Sequence, residues 1–191
     1  MPDPADRIHA AADRLARCRS RGSLAEAIAV EVERYTLFDL QRIGGGVRKE
    51  VDRLPEPYRS RVRPYFEAQL FGAYHRLMLG HRSGSFAGLE GRIADPDRFD
   101  MFVGLIVPGC LDDGDTDFGL KNPLHTLFYY LMAGFVMFVE GGPGHPVGTP
   151  FPGGFVVEKR GEEYYCPLRE KEEEVLFSIC NVCPAKQMEG V

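Results

Sequence analysis

The sequence predicts a mostly α-helical, bundle-like domain that ends in a β-hairpin and a cysteine-rich metal-binding unit. Three observations carry this prediction. Apolar residues recur at three- and four-residue spacing through most of the chain, glycine and proline concentrate after residue 140, and four of the five cysteines lie in the second half. A length of 191 residues corresponds to one domain. We place a helical part at 1–140 and the unit packed on it at 141–191, and expect one folding unit.

Two helices are predicted at the start of the chain. Residues 3–20 carry an apolar stripe, and Cys18 lies on it as an ordinary core residue. Ser23 and Glu26 have the spacing of a capping box, which opens a second helix that extends to residue 43. The three glycines at 44–46 are expected to end that helix and act as a hinge.

The same periodicity predicts the remaining helices, which cover 47–54, 58–79 with a kink at Pro64, 96–107 and 123–140. Asp95-Pro96 and Asn122-Pro123 each place a capping side chain before a first-turn proline. Pro108-Gly109 is expected to stop the third of these helices just before Cys110. The fourth is the most apolar, and its continuous apolar run at 124–139 is shorter than the roughly 20 residues of a membrane span, so we expect a buried central helix.

The second half ends in a different composition. Residues 141–154 contain too much glycine and proline for a helix or a central strand. Two β-prone runs at 155–166 surround Lys159-Arg160-Gly161 and predict a hairpin. An acidic helix is predicted over 168–178, before the final cysteine pair.

Charge and targeting signals narrow the class of protein. The chain has 23 Lys and Arg against 28 Asp and Glu, a net charge of −5, which argues against a general nucleic-acid binder. Residues 42–82 are locally basic, but only Tyr58 and Tyr65 lie near their arginines as stacking aromatics, so a solvated helix face is favoured over RNA binding. The N-terminal residues lack the apolar core of a signal peptide. We expect a cytoplasmic protein that does not enter a membrane and keeps its cysteines reduced.

The cysteines predict a metal site. Cys180 and Cys183 can converge on one ion through a tight turn, and Cys166 leaves the hairpin close enough to supply a third thiolate. Cys110 is the expected fourth ligand, with His145 as its substitute. The alternatives are small buried thiols without a metal, and a redox dithiol at the Cys-x-x-Cys pair. Four thiolates suit a closed tetrahedral zinc site, and they also suit an iron–sulfur cluster.

Three unusual motifs lie in the last quarter of the chain: HPVGTPFPGGF at 145–155, Tyr-Tyr-Cys-Pro at 164–167 and the ending Cys-Asn-Val-Cys-Pro-Ala-Lys-Gln. In these motifs the chain resembles an uncharacterised protein family of methanogenic archaea, a domain of unknown function. The resemblance implies a strictly anaerobic archaeal cytoplasm, where iron–sulfur clusters are abundant, and so brings zinc and a 4Fe-4S cluster near parity. The family has no assigned activity, so the resemblance supplies no catalytic residue.

These patterns favour a metal-binding protein with a structural zinc or iron–sulfur centre, acting in assembly or in binding an unidentified protein partner. The first alternative is an iron–sulfur redox enzyme or electron carrier. The second is an RNA-binding protein that uses the basic face at 42–82. The sequence contains no Gly-x-Ser-x-Gly elbow, His-Glu-x-x-His pair or dinucleotide fingerprint, so neither a reaction nor a catalytic residue is assigned.

Overall fold

Helices form most of the chain, and a small sheet lies near its end. The computed structural model describes residues 3–112, 120, 122–172 and 175–190. In those residues the α-helices are α1 (Pro4–Ala16), α2 (Arg21–Val32), α3 (Leu37–Asp52), α4 (Tyr58–Glu67), α5 (Ala73–Arg82), α6 (Pro96–Leu111) and α7 (Pro123–Gly134). Continuous π-helical turns follow α4 at Ala68–Gly72 and α7 at Phe135–Glu140, and 3₁₀ turns lie at Ser85–Gly88, Pro152–Gly154 and Ile179–Val182. The strands are β1 (Glu158–Arg160), β2 (Glu163–Cys166) and β3 (Lys186–Gln187). The mostly helical class is confirmed.

Helix α7 is the centre of the core, as the apolar run predicts. Every residue from His125 to Gly134 is buried. The ring of Phe128 contacts that of Tyr35 edge-on, with centroids 5.3 Å apart, and packs near those of Phe71 and Tyr74. The helix and its π-helical continuation are long and apolar enough to cross a membrane, but 72% of that window is buried inside the protein. This burial is the pattern of a core helix in a globular domain.

The predicted helix starts at α6 and α7 are confirmed by their caps. The Asp95 carboxylate accepts a hydrogen bond from the backbone N–H of Arg98, and the Asn122 side chain accepts one from Leu124. Proline follows each cap, where the missing N–H costs no helical hydrogen bond. Local chemistry therefore determines where both helices begin.

The prediction that the three glycines at 44–46 end a helix and form a hinge was wrong. The helix predicted up to residue 43 divides earlier, and α3 begins after Thr36, which forms a capping box with Asp39. Helix α3 then continues through all three glycines to Asp52. Each mid-helix glycine costs about 1 kcal/mol relative to alanine. Burial of Ile43, Val47 and Val51 against the bundle offsets that cost.

The capping box predicted for the second helix also differs from the structure. Helix α2 is capped by Ser20 and Ser23, and not by Ser23 and Glu26.

Two proline-based expectations also differ from the structure. Helix α6 passes through Pro108 and ends at Leu111, so Cys110 lies inside its last turn instead of after a stop. Burial of Ile106, Gly109 and Cys110 offsets the one backbone hydrogen bond that proline removes. Helix α4 likewise includes Pro64, and the irregularity follows it, in the π-helical turn Ala68–Gly72.

The hairpin prediction is confirmed, and the structure adds a strand. Strands β1 and β2 pair antiparallel, and β3 pairs parallel to β2, with Cys166 opposite Gln187.

The prediction of an acidic helix over 168–178 was wrong. Residues 167–172 and 175–177 form turns. Phe177 has a φ of +63°, which is incompatible with a helix, and the run of glutamates places like charges four residues apart.

The C-terminal unit packs directly on the helices. Val157, Cys166, Ile179 and Val182 belong to the same buried cluster as the aromatic residues of α6 and α7. The Tyr130 hydroxyl of α7 donates a 2.6 Å hydrogen bond to the carbonyl of Phe177. This bond fixes the segment just before the final cysteine pair to the central helix.

Candidate metal centre

A small cavity lies where residues 141–154 (the Gly/Pro-rich loop), the end of β2 and the 3₁₀ turn Ile179–Val182 meet. Its volume is about 10 Å³, close to the ~10–15 Å³ that one water molecule needs. Apolar groups line it together with three thiols, one imidazole and one guanidinium. These polar lining residues are Cys166, Cys180, Cys183, His145 and Arg169.

The final cysteine pair reaches this cavity through a tight turn. The Ser178 side chain accepts a hydrogen bond from the N–H of Cys180 and so begins the 3₁₀ turn. The N–H of Cys183 then donates to the carbonyl of Cys180 at 3.2 Å. The turn brings both thiols to the same cavity, as the Cys-x-x-Cys spacing predicts.

Backbone N–H groups point at two of the sulfur atoms. Gly144 donates to Sγ of Cys183 at 3.3 Å. Burial raises the pKa of the Cys166 thiol, while the N–H groups of Leu168 and Arg169 and the nearby guanidinium act in the opposite direction. Hydrogen bonds to sulfur stabilise thiolates and orient them in metal sites. These N–H groups are placed to donate to sulfur, but burial outweighs them at Cys166, whose pKa stays raised.

His145 enters the cavity from the Gly/Pro-rich loop. Its ring contacts Phe151 edge-on, with centroids 5.6 Å apart and an interplanar angle of 88°, which fixes its orientation. Burial lowers the pKa of His145 to about 4. The imidazole is therefore neutral at pH 7, which is the form that binds metals.

Arg169 supplies positive charge at the same cavity. Its guanidinium also approaches the carbonyl of Asn181 at 3.5 Å, which anchors it beside the turn that carries the cysteines. Three thiolates and a neutral imidazole around a divalent cation would leave one net negative charge. The guanidinium is placed to offset it, because charge interactions are strong where water is excluded.

The other two cysteines lie elsewhere. Cys110 is buried at the end of α6 and does not line the cavity, and burial raises the pKa of its thiol to about 12. The Cys18 thiol donates to the carbonyls of Arg14 and Ser23, each at 3.5 Å, within the helical core. The structure thus brings together Cys166, Cys180, Cys183 and His145 from the predicted set, and not Cys110.

The side chains as placed do not yet form a coordination sphere. In the part of the chain that the structure describes, no three His, Cys, Asp or Glu side chains form a group that could hold a metal ion. Sequence reasoning missed Gly144 and Arg169. Neither residue has a spacing signal, since each contributes through its position relative to a distant cysteine.

The basic segment 42–82 is partly neutralised by ion pairs. Four of its arginines pair with carboxylates, namely Arg53 with Glu50, Arg59 with Glu56, Arg63 with Asp52 and Arg76 with Glu140. The Tyr58 hydroxyl donates to the carbonyl of Pro150, and Tyr65 packs against Gly148. Both tyrosines are therefore committed to the Gly/Pro-rich loop and are poorly placed to stack on bases.

Comparison with known proteins places these features in a family. Residues 20–188 match the family described as an uncharacterized protein conserved in archaea, DUF2115. The chain belongs to the DUF2115 family. Its similarity to proteins of methanogens is consistent with this membership. A UPF0305 protein of Methanopyrus kandleri is 39% identical over 94 residues, 49% of this chain and 63% of that protein.

Other UPF0305 relatives align with more of the chain. A UPF0305 protein of Methanococcus maripaludis is 33% identical over 80% of this chain and 88% of its own length. One from Methanocaldococcus jannaschii is 20% identical over 87% of this chain and 95% of its own length. By contrast, the chain matches only 32% of the length of a Methanothermobacter thermautotrophicus relative, at 48% identity. No solved structure matches the chain.

Proposed function

We propose that this DUF2115 protein binds one metal ion through Cys166, Cys180, Cys183 and His145, and that the centre is structural. The protein would then act in the cytoplasm as a binding or assembly factor. The observation that carries the proposal is the convergence of three thiols and one neutral imidazole on a single cavity. Three other cavities whose linings the structure describes gather at most one such ligand each.

The size of the cavity favours one ion over a cluster. A volume of about 10 Å³ suits a single cation. A 4Fe-4S cluster holds four irons and four sulfides, so it would require the surrounding loops to move apart. Three cysteines and one histidine form one of the donor sets of structural zinc sites. Zinc is therefore our first choice, and a redox-active iron–sulfur centre in an enzyme or electron carrier is the alternative.

The donor set also favours a structural role. Four protein ligands complete the tetrahedral coordination of zinc, and catalytic zinc sites keep one position open for water or substrate. The ion would cross-link the Gly/Pro-rich loop, β2 and the 3₁₀ turn Ile179–Val182. Arg169 would offset the charge, and the N–H groups of Gly144, Leu168 and Arg169 would hold the thiolates in place.

Metal content of the full chain, purified without oxygen, tests the proposal. We expect one zinc per chain and a colourless protein, and cobalt in place of zinc should give the visible bands of a thiolate-bound tetrahedral ion. A broad visible absorption with stoichiometric iron would support the iron–sulfur alternative and overturn the zinc assignment. A folded protein with neither metal, which also fails to bind added zinc, would overturn the whole proposal.

Single substitutions test the ligand set. Cys180→Ser and Cys183→Ser should lower metal content and melting temperature together, while Cys18→Ser should leave metal content unchanged. His145→Ala and Cys110→Ser show whether His145 or Cys110 is the fourth ligand. We expect the histidine variant to lose metal affinity and the Cys110 variant to keep it. Equal metal loss in all five variants would refute the ligand assignment.

A further inference from the structure

The turn that follows Cys166 is held by a side chain from the last strand of the structure. Cys166 is the final residue of β2, and residues 167–170 form the turn. Gln187 lies opposite Cys166 in the parallel pairing of β2 with β3. The N–H of Met188 donates to the Cys166 carbonyl at 3.1 Å. Strand β3 therefore lies directly beside this cysteine and brings the Gln187 side chain to the turn.

The side-chain amide of Gln187 makes three hydrogen bonds to backbone groups. Its Nε2 donates to the carbonyl of Pro167 at 3.2 Å and to that of Met188 at 3.1 Å. Its Oε1 accepts from the N–H of Glu170 at 2.9 Å. Both hydrogens of the amide nitrogen are therefore used, and the oxygen is used as well.

Two of these bonds connect the ends of the turn. In an ordinary β-turn, the carbonyl of residue i accepts a hydrogen bond from the N–H of residue i+3. Pro167 and Glu170 occupy these two positions, and here both groups bond to the Gln187 amide, which bridges them. The shape of the turn therefore depends on a residue that is distant in sequence.

The middle residues of this turn face the sulfur atom of Cys166. The N–H groups of Leu168 and Arg169 donate to that sulfur. The Arg169 guanidinium also lines the same cavity as Cys166. Since both residues lie between the two that Gln187 bridges, a change in the turn would move two donors and one positive charge relative to a proposed ligand.

We propose that Gln187 is a positioning residue of the metal centre, which keeps the turn 167–170 in the form that directs two N–H donors at the Cys166 sulfur. The inference rests on the proposed metal centre and adds β3 to the parts of the chain that control metal affinity. Groups that orient metal ligands through hydrogen bonds typically change metal affinity by about 10–100-fold when they are removed. Docking of β3 and occupancy of the centre would then favour each other.

Substitution of two neighbouring residues separates this role from strand pairing. Gln187→Met keeps the length of the side chain and removes all three of its hydrogen bonds. Lys186→Met is the matched control, because Lys186 lies in the same strand and its ammonium pairs with the exposed Glu163 carboxylate instead of the turn. Both positions lie in β3, outside the helical part, so circular dichroism should show unchanged helix content in both variants.

Zinc affinity and the cobalt spectrum are measured on the full reduced chain. Zinc is titrated against a competing chromophoric chelator, and Co²⁺ reports its thiolate ligands through their charge-transfer absorption. We expect Gln187→Met to bind zinc at least about tenfold more weakly and to alter the charge-transfer bands. Lys186→Met should match the unsubstituted chain in both measurements. Unchanged affinity and spectrum in Gln187→Met would overturn the proposal. Equal losses in both variants would also overturn it, because they would assign the effect to docking of β3 in general.

Hydrogen exchange in the metal-free chain tests the position of the turn without the ion. The amides to follow are those of Leu168, Arg169 and Glu170. They should exchange at least about tenfold faster in Gln187→Met than in Lys186→Met, because the turn that protects them opens more often. Equal exchange would overturn the positioning role, even if zinc binding had weakened.

Failure of this proposal can be distinguished from failure of the metal centre itself. An unsubstituted chain that binds neither zinc nor iron would overturn both proposals. An unsubstituted chain that binds zinc, together with a Gln187→Met variant that binds it equally well, would overturn the role of Gln187 alone.

Discussion

Replacement of Gly109 by alanine tests how α6 and α7 hold the segment before the final cysteine pair. A Cβ at Gly109 would overlap the Tyr130 hydroxyl oxygen and lie 2.8 Å from Cζ of the same ring. It would also lie 3.0 Å from Cβ of Phe177. The Tyr130 hydroxyl cannot retreat freely, because it donates a 2.6 Å hydrogen bond to the Phe177 carbonyl.

The expected loss of stability has two parts. Overpacking in a buried site typically costs about 1–3 kcal/mol. Loss or distortion of the Tyr130–Phe177 hydrogen bond adds about 1 kcal/mol. Together they predict a decrease of about 2–4 kcal/mol in the free energy of unfolding, or roughly 5–15 °C in melting temperature for a chain of this size. Metal affinity should decrease as well, because Phe177 lies three residues before Cys180.

Urea unfolding and thermal melting measure this effect against a control on the same helix. A Cβ at Gly104 would meet nothing within 4 Å, so Gly104→Ala should stabilise α6 by about 0.5–1 kcal/mol. Adding Tyr130→Phe to the Gly109→Ala chain should recover part of the loss, because it removes the overlapping oxygen. If Gly109→Ala were as stable as Gly104→Ala, the close approach of the two helices would be refuted.

Two further predictions concern buried charge and pH. Glu31 is fully buried and pairs with three arginines, the nearest being Arg7 at 2.6 Å. Glu31→Gln should therefore lower the free energy of unfolding, measured in urea, by about 3 kcal/mol. The control Glu50→Gln, in an exposed pair, should lower it by less than about 1 kcal/mol. Burial, aided by the charge of Arg42, lowers the pKa of His125, so the unfolded chain takes up a proton first as pH falls below about 6.5. Stability should decrease from pH 7 to pH 5.5, and His125→Gln should flatten that dependence; an unchanged slope would contradict it.

The sequence predicted best those elements that local chemistry determines. The cap and first-turn proline at Asn122-Pro123, followed by a continuous apolar run, identified α7 and its burial. The hairpin followed from two β-prone runs around one glycine. Strand β3 was missed because it pairs over two residues and depends on a partner distant in sequence.

Errors arose where tertiary packing overrides local preference. Three glycines inside α3 and one proline inside α6 are unfavourable to an isolated helix, and burial of neighbouring apolar residues outweighs them. For the candidate site, cysteine spacing singled out the three thiols that line one cavity, and their binding of a metal stays a prediction. The choice between Cys110 and His145 depends on how α6 and the Gly/Pro-rich loop pack, and spacing holds no information about that.

Helix α4 holds the loop that carries one of the proposed ligands. The Tyr58 hydroxyl donates to the carbonyl of Pro150, and Tyr65 packs against Gly148, both in the loop that carries His145. These contacts restrict the loop before any ion arrives, so less conformational freedom is left to lose when His145 binds. The proposed centre would in this sense be preorganised by a helix that supplies none of its ligands.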